Sequence, residues 1–259
     1  MKIGFQVSSI KEYLSTPWAV MESFKKIKNI GYGEVQIQYV PTHITADDIK
    51  TALTENGLVC VGTQDDYPDS LRDIRTLIEK NAQWGGRYIC SALWPMDCVN
   101  PDSRTINMER YRAFINEMQA ACRLVKDAGK IFTYHPLFFD LNPVEGVIPL
   151  DCLLEEVPEL QVTLDLYHVI ASGLDPVETI RKYSGNMEIV HFKEGKQLNG
   201  ESVLMPLGQG DTDWKPILKA CLAADVRHCF IEQEKWHKDA FECMADSYTH
   251  IQSLMKDMA

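Results

Sequence analysis

The chain has 259 residues, a formal net charge of −11 and a pI near 5.1. Nucleic-acid affinity rests on clustered Lys and Arg, so this balance argues against DNA or RNA as a partner. No run reaches the roughly 18 apolar residues a membrane span requires, and Met1 leads directly into KIGFQV without the apolar region and cleavage site of a signal peptide.

The eight cysteines are scattered, with no CxxC pair, and most lie in apolar segments such as LVC and RYIC. That usage fits reduced, packed thiols. The expectation is a soluble cytoplasmic protein with no membrane partner.

Short apolar strands alternate with longer helical patterns along the whole chain. KIGFQV (2–7) precedes an amphipathic stretch at 17–30, and GEVQIQ (33–38) precedes ADDIKTALTENG, where Gly57 is a helix stop. LVCVGTQ (58–64) is followed by SLRDIRTLIEKNAQWGG, and RYICSAL (87–93) by a helical pattern at 106–129. The last four strands are IFTYHP (131–136), VTLDLYH (162–168), MEIVHFKE (187–194) and HCFIEQE (228–234), with helices at 149–157, 175–184, 214–224 and 239–257. Eight strand–helix units in this length predict a single-domain (β/α)8 TIM barrel over residues 1–259. An open doubly wound sheet would need a Gly-rich first turn, which KIGFQVSSI lacks.

In such a barrel, chemistry sits at the C-terminal strand ends, and strand alternation tells which side chains point inward. In VTLDLYH, Thr163, Asp165 and Tyr167 share a face; in MEIVHFKE, Ile189, His191 and Lys193; in HCFIEQE, Phe230, Glu232 and Glu234. Asp165, His191 and Glu232 therefore converge from three successive strands. Two carboxylates and an imidazole at a barrel mouth suit one divalent cation, with Mn, Mg, Co and Zn all open. His135 shares an inward face with Thr133 and fits either a substrate hydrogen bond or a structural role, and Trp94 at the end of strand four either walls a ligand ring or fills the core. LGQGDTDW predicts a helix cap at Asp211 or Thr212, and Asp211 and Asp213 disfavour an anion there, pointing to a neutral ligand.

The stretches YHPLFFDL, VTLDLYHVIASGLDPVETI, EIVHFKEGK, PLGQGDTDW and FIEQE, in that order, resemble the xylose isomerase-like barrel family of sugar isomerases and epimerases. The resemblance covers roughly residues 131–257 well and implies a cation held by an acid after strand five, Asp165, His191 and Glu232. The acid falls on Asp140, where the family has Glu, and Pro136-Leu137 replace an Asn-His pair; Gln64 stands where many relatives carry His. The resemblance also implies that His168 and Lys193 contact substrate. The expected activity is metal-dependent sugar isomerisation or epimerisation, with Asp140 and Glu232 moving a proton next to a carbonyl through an enediolate. A lyase or dehydratase acting on inososes or 3-keto-glycosides is the alternative, and a non-catalytic sugar-binding or partner subunit a third reading. The family's DNA-repair nuclease is disfavoured by the charge. A homo-oligomer stays open.

Overall fold

Most helices start where the sequence offers an oxygen to their free amides. Thr16 accepts from Ala19 N at 3.1 Å and Pro17 follows, opening α1 (Pro17–Ile30). Thr45 and Asp48 satisfy each other's amides at the start of α2 (Ala46–Asn56), and Gly57 ends it in the left-handed region at φ 57°. In chain order there follow α3 (Asp69–Arg72), α4 (Ile74–Gln83), α5 (Met108–Asp127), α6 (Phe138–Leu141), α7 (Pro149–Glu156), α8 (Leu166–Ala171), α9 (Pro176–Lys182), α10 (Trp214–Ala223) and α11 (Ala240–Lys256). The helical stretch expected after strand three is thus split at Asp73. The cap of α10 is Asp213, which accepts from Lys215 N at 3.1 Å. Asp211, expected there, instead accepts from Gln197 N at 3.0 Å, and Thr212 N donates to Glu194 Oε1 at 2.9 Å.

The computed structural model describes residues 1–93 and 106–258. Its strands are β1 (Lys2–Gln6), β2 (Glu34–Ile37), β3 (Val59–Asp66), β4 (Tyr88–Ala92), β5 (Ile131–His135), β6 (Gln161–Asp165), β7 (Ile189–Phe192), β8 (Glu194–Leu198), β9 (Glu201–Met205) and β10 (His228–Ile231). All but β8 and β9 pair in parallel and close into a barrel, with β1 between β2 and β10. The expected (β/α)8 barrel is the observed one. No helix of the described residues is long and apolar enough to cross a membrane.

One addition was not expected. β8 and β9 form an antiparallel hairpin turned by Asn199-Gly200, both at positive φ (53° and 84°), as a two-residue primed turn requires. It stands directly after β7, beside the barrel mouth.

Outward faces of the strands pack on the helices: Tyr134, Leu164, Val190 and Ile231 are buried there with the α5 face of Tyr111, Phe114 and Met118. Inside the barrel the layers change character from bottom to top. Lys2, Glu34 and His228 pair at the N-terminal end, and Val61, Tyr88, Ile189 and Phe230 form an apolar plug above them. Thr133 and Thr163 bond each other at 2.9 Å one layer higher. The plug closes the barrel floor, so among the described residues the interior opens toward the C-terminal side.

Strand spacing in this floor depends on Gly62. A Cβ there would lie 2.5 Å from the Tyr88 carbonyl oxygen and 2.9 Å from Tyr88 Cβ, so β3 and β4 would have to part. Gly62→Ala is expected to lower stability by about 1–3 kcal/mol, as overpacking does. Thermal denaturation beside the wild type checks this; an unchanged melting temperature would show that the strands can give.

Candidate metal centre

The strand in VTLDLYH ends three residues earlier than its apolar pattern suggests. Asp165 turns the chain: its Oδ1 accepts from Tyr167 N at 2.8 Å, capping α8. Tyr167 consequently leaves the inward face, and its hydroxyl donates to Ser202 Oγ on the hairpin at 3.0 Å. His168 sits one turn into α8 and folds back, placing Nε2 3.7 Å from Asp165 Oδ2.

The second oxygen of Asp165 makes no hydrogen bond although the residue is buried. His135, from the end of β5, reaches within 3.7 Å of it through Nε2, too far for a hydrogen bond, and neither His135 ring nitrogen has a partner. His191 on β7 lies beside them, its ring centroid 5.0 Å from that of His135. Its Nδ1 is 2.9 Å from Glu232 Oε2, and its Nε2 is 2.6 Å from Gln36 Oε1. One donor atom each from His135, Asp165, His191 and Glu232 lies within 4.8 Å of all the others, and all four residues are buried.

Buried polar atoms are nearly always paired, so bare atoms on His135, Asp165 and His168 at one point mark a place built for something else. Two imidazoles and two carboxylates are a donor set that first-row divalent ions accept, so the residues present fit a cation.

The charges support one another. Burial pushes the Asp165 and Glu232 carboxyls up, but His168, His135 and Lys193 around the first, and Lys193 and His191 around the second, outweigh it and hold both below the usual carboxylate range. Burial would lower Lys193, yet Glu232, Asp165 and Glu234 raise its pKa above the ordinary value; its Nζ is paired with Glu234. Burial also lowers His168, to about 4, against the pull of Asp165.

Asp140, expected as the fourth ligand, is elsewhere. α6 begins immediately after β5, and the Asp140 carboxylate turns back to accept from Leu137 N at 2.9 Å. It also accepts from the Tyr111 hydroxyl at 3.0 Å and the Tyr134 hydroxyl at 3.2 Å, both in the layer between barrel and helices. The structure brings His135 into the group in its place. Burial pushes the Asp140 pKa up to about 7 despite these three donors. Trp94 lies outside the described residues.

Across the mouth stands a cluster the sequence pattern did not single out. Asp66 at the end of β3 accepts from Gln38 Nε2 at 3.2 Å and from the Tyr39 hydroxyl, and Tyr39 holds a left-handed backbone at φ 56°. A non-glycine residue at positive φ was the hidden signal, and it is set by tertiary packing.

Residues 24–247 match the sequence family described as the xylose isomerase-like TIM barrel. No curated protein matches the chain in sequence. Among solved structures, the chain is similar to a sugar phosphate isomerase/epimerase from Parabacteroides distasonis ATCC 8503, with 17% identity over 97% of each chain and a TM-score of 0.78. It is also similar to the 3-keto-D-glucoside 4-epimerase of E. coli, with 17% identity over 98% of this chain and 99% of that one and a TM-score of 0.76. A third is the probable 3-DHS dehydratase of petrobactin synthesis from Bacillus anthracis, with 16% identity over 97% and 99% and a TM-score of 0.75. At such identities the likeness establishes a common fold.

Asp140→Ala removes the acceptor of the buried Tyr111 hydroxyl and of the Leu137 amide, each worth about 1–3 kcal/mol when unsatisfied. The variant is expected to melt earlier while binding added Mn²⁺ as the wild type does. Lost Mn²⁺ binding in folded protein would return Asp140 to the ligand set.

Proposed function

The chain belongs to the xylose isomerase-like TIM barrel family, and from that premise we propose that it is a divalent-metal-dependent enzyme moving a proton next to the carbonyl of a sugar or sugar derivative. The observation that carries the reading is the buried His135, Asp165, His191 and Glu232 group, with bare atoms at its centre. A cation bound there would polarise a carbonyl and stabilise the enediolate formed when the neighbouring proton leaves.

The remaining work falls to side chains. Glu232 is the carboxylate placed to take the α-proton, its Oε2 lying 2.9 Å from His191 Nδ1. His168, with Nδ1 unpartnered, is placed to hold a substrate hydroxyl. Lys193 lies against Tyr167 and supplies a positive charge beside developing oxyanions. The plug below and the buried walls keep bulk water from the reacting carbon.

With Asp140 engaged by tyrosines, it is not the opposing carboxylate that proton return on the other face would use. That observation favours a second reading in which the proton returns on the same face, or a β-substituent leaves instead, giving a lyase or dehydratase product. The 3-DHS dehydratase among the similar structures shares the fold in which such an elimination would occur.

Incubation with ketoses, inososes and 3-keto-glycosides in D₂O, with Mn²⁺ present and after chelation, tests the reading. Metal-dependent deuterium uptake next to the carbonyl is expected, and product analysis separates an epimer or isomer from an unsaturated product. Absence of exchange and of product across the panel in metal-loaded protein would reject it.

Glu232→Gln should keep the fold, weaken Mn²⁺ binding and lower exchange by about 10²–10⁴-fold. Exchange at the wild-type rate with metal bound would remove Glu232 as base. His168→Ala should reduce turnover while leaving metal content near the wild-type level, since the ring fits substrate in this reading. Loss of metal from folded His168→Ala protein would instead make it a ligand.

A further inference from the structure

The barrel interior beneath β1, β2 and β3 is filled with amides where apolar side chains would pack at less cost. Gln6, Gln36, Gln38 and Gln64 are all buried. Gln6 Nε2 donates to Gln36 Oε1 at 3.2 Å and to Gln64 Oε1 at 3.5 Å; Gln64 Nε2 donates to Gln38 Oε1 at 3.2 Å, and Gln38 Nε2 to Asp66 Oδ1 at 3.2 Å. One end of this chain is the mouth carboxylate Asp66. The other is Gln36 Oε1, 2.6 Å from Nε2 of His191.

Burying an amide is unfavourable unless its atoms are used, and Gln36 Nε2 and Gln6 Oε1 have no partner at all. The arrangement therefore spends polar groups to place one oxygen. That oxygen meets the imidazole nitrogen pointing away from the proposed cation.

A neutral imidazole carries one proton, and the nitrogen without it offers a lone pair. His191 has an acceptor at each end, Glu232 Oε2 at 2.9 Å from Nδ1 and Gln36 Oε1 at Nε2. With the proton on Nδ1, it points at Glu232 and occupies the direction a cation needs. With the proton on Nε2, Nδ1 offers its lone pair on the side of Glu232, to which it is 2.9 Å.

We propose that Gln36 is a positioning residue for His191: its Oε1 accepts the Nε2 proton and so holds the ring with Nδ1 presented to the metal centre. Gln6 supports it by donating to the same oxygen, which fixes which end of the Gln36 amide faces the ring. The role rests on the metal centre proposed above and extends it to a residue on a strand that contributes no ligand. Partners of this kind set ligand orientation and basicity, and their loss typically weakens metal binding by about 10–100-fold.

The test uses Gln36→Met, nearly isosteric but without the acceptor, Gln36→Glu, which keeps an oxygen in place, and Gln36→Asn, which draws it back by one methylene. Mn²⁺ affinity is measured by calorimetry on each folded protein, and the His191 tautomer by nitrogen–proton correlation spectra on ¹⁵N-histidine-labelled protein without metal and with Zn²⁺. Gln36→Met should weaken Mn²⁺ binding about 10–100-fold and shift the His191 proton from Nε2 to Nδ1, while Gln36→Glu stays within a few-fold of the wild type.

Met and wild-type proteins with equal Mn²⁺ affinity and the same tautomer would overturn the proposal. If Gln36→Met fails to fold, Gln36→Asn decides: wild-type affinity and tautomer in that variant overturn it, and a loss in both supports it. Wild-type protein that binds no Mn²⁺ or Zn²⁺ would reject the metal centre itself. The metal-free spectra would then still show whether Gln36 holds the Nε2 proton.

Discussion

Asp165 divides its two oxygens between structure and chemistry. Oδ1 caps α8, ending a strand and starting a helix at one residue, while Oδ2 is left bare among imidazoles in a buried site. The cap fixes the carboxylate's rotation, and so fixes where the bare oxygen points. His168 owes its place to the same turn, because a helix beginning at Leu166 brings the third residue past the cap back over it. An unpaired buried carboxylate oxygen is costly. It persists here because the Lys193 ammonium and the imidazoles of His135 and His168 lie around it.

The same accounting separates the two buried aspartates on neighbouring elements. Asp165 sits beside Lys193 and two imidazoles, which hold its carboxyl below the usual range. Asp140 sits among neutral donors in the layer between barrel and helices, where burial wins and its carboxyl is pushed up to about 7. A carboxylate that shares its oxygens with two tyrosines and an amide has no bare oxygen to offer a cation. His135, one residue before the Pro136-Leu137 pair, stands in the position this leaves open, and an imidazole reaches from the strand itself without needing a loop.

The polar half of the barrel interior extends this logic. Amides under β1 to β3 connect the mouth acid Asp66 to the ring of His191, while threonines pair under β5 and β6. Below both, Phe230 and Tyr88 close the floor. The barrel is thus an apolar plate carrying a polar cup, with hydrogen bonds keeping the cup rigid.

Eight strands and their helices were legible in the sequence because apolar periodicity and caps such as Thr16, Thr45 and Gly57 act within a few residues. Strand parity likewise brought out Asp165, His191 and Glu232, since alternation is a local property of extended backbone. Asn199-Gly200 carried an equally local hairpin signal, obscured by charged residues on both strands. Tyr167 misled because parity holds only while the strand continues, and a side-chain cap ended it. Where Asp140 points, that His135 joins the group, and that Gln36 meets His191 were decided by the tertiary structure alone. Each depends on groups far apart in the chain, Tyr111 with Asp140 or Gln36 with His191, whose meeting is set by barrel closure rather than by sequence neighbours.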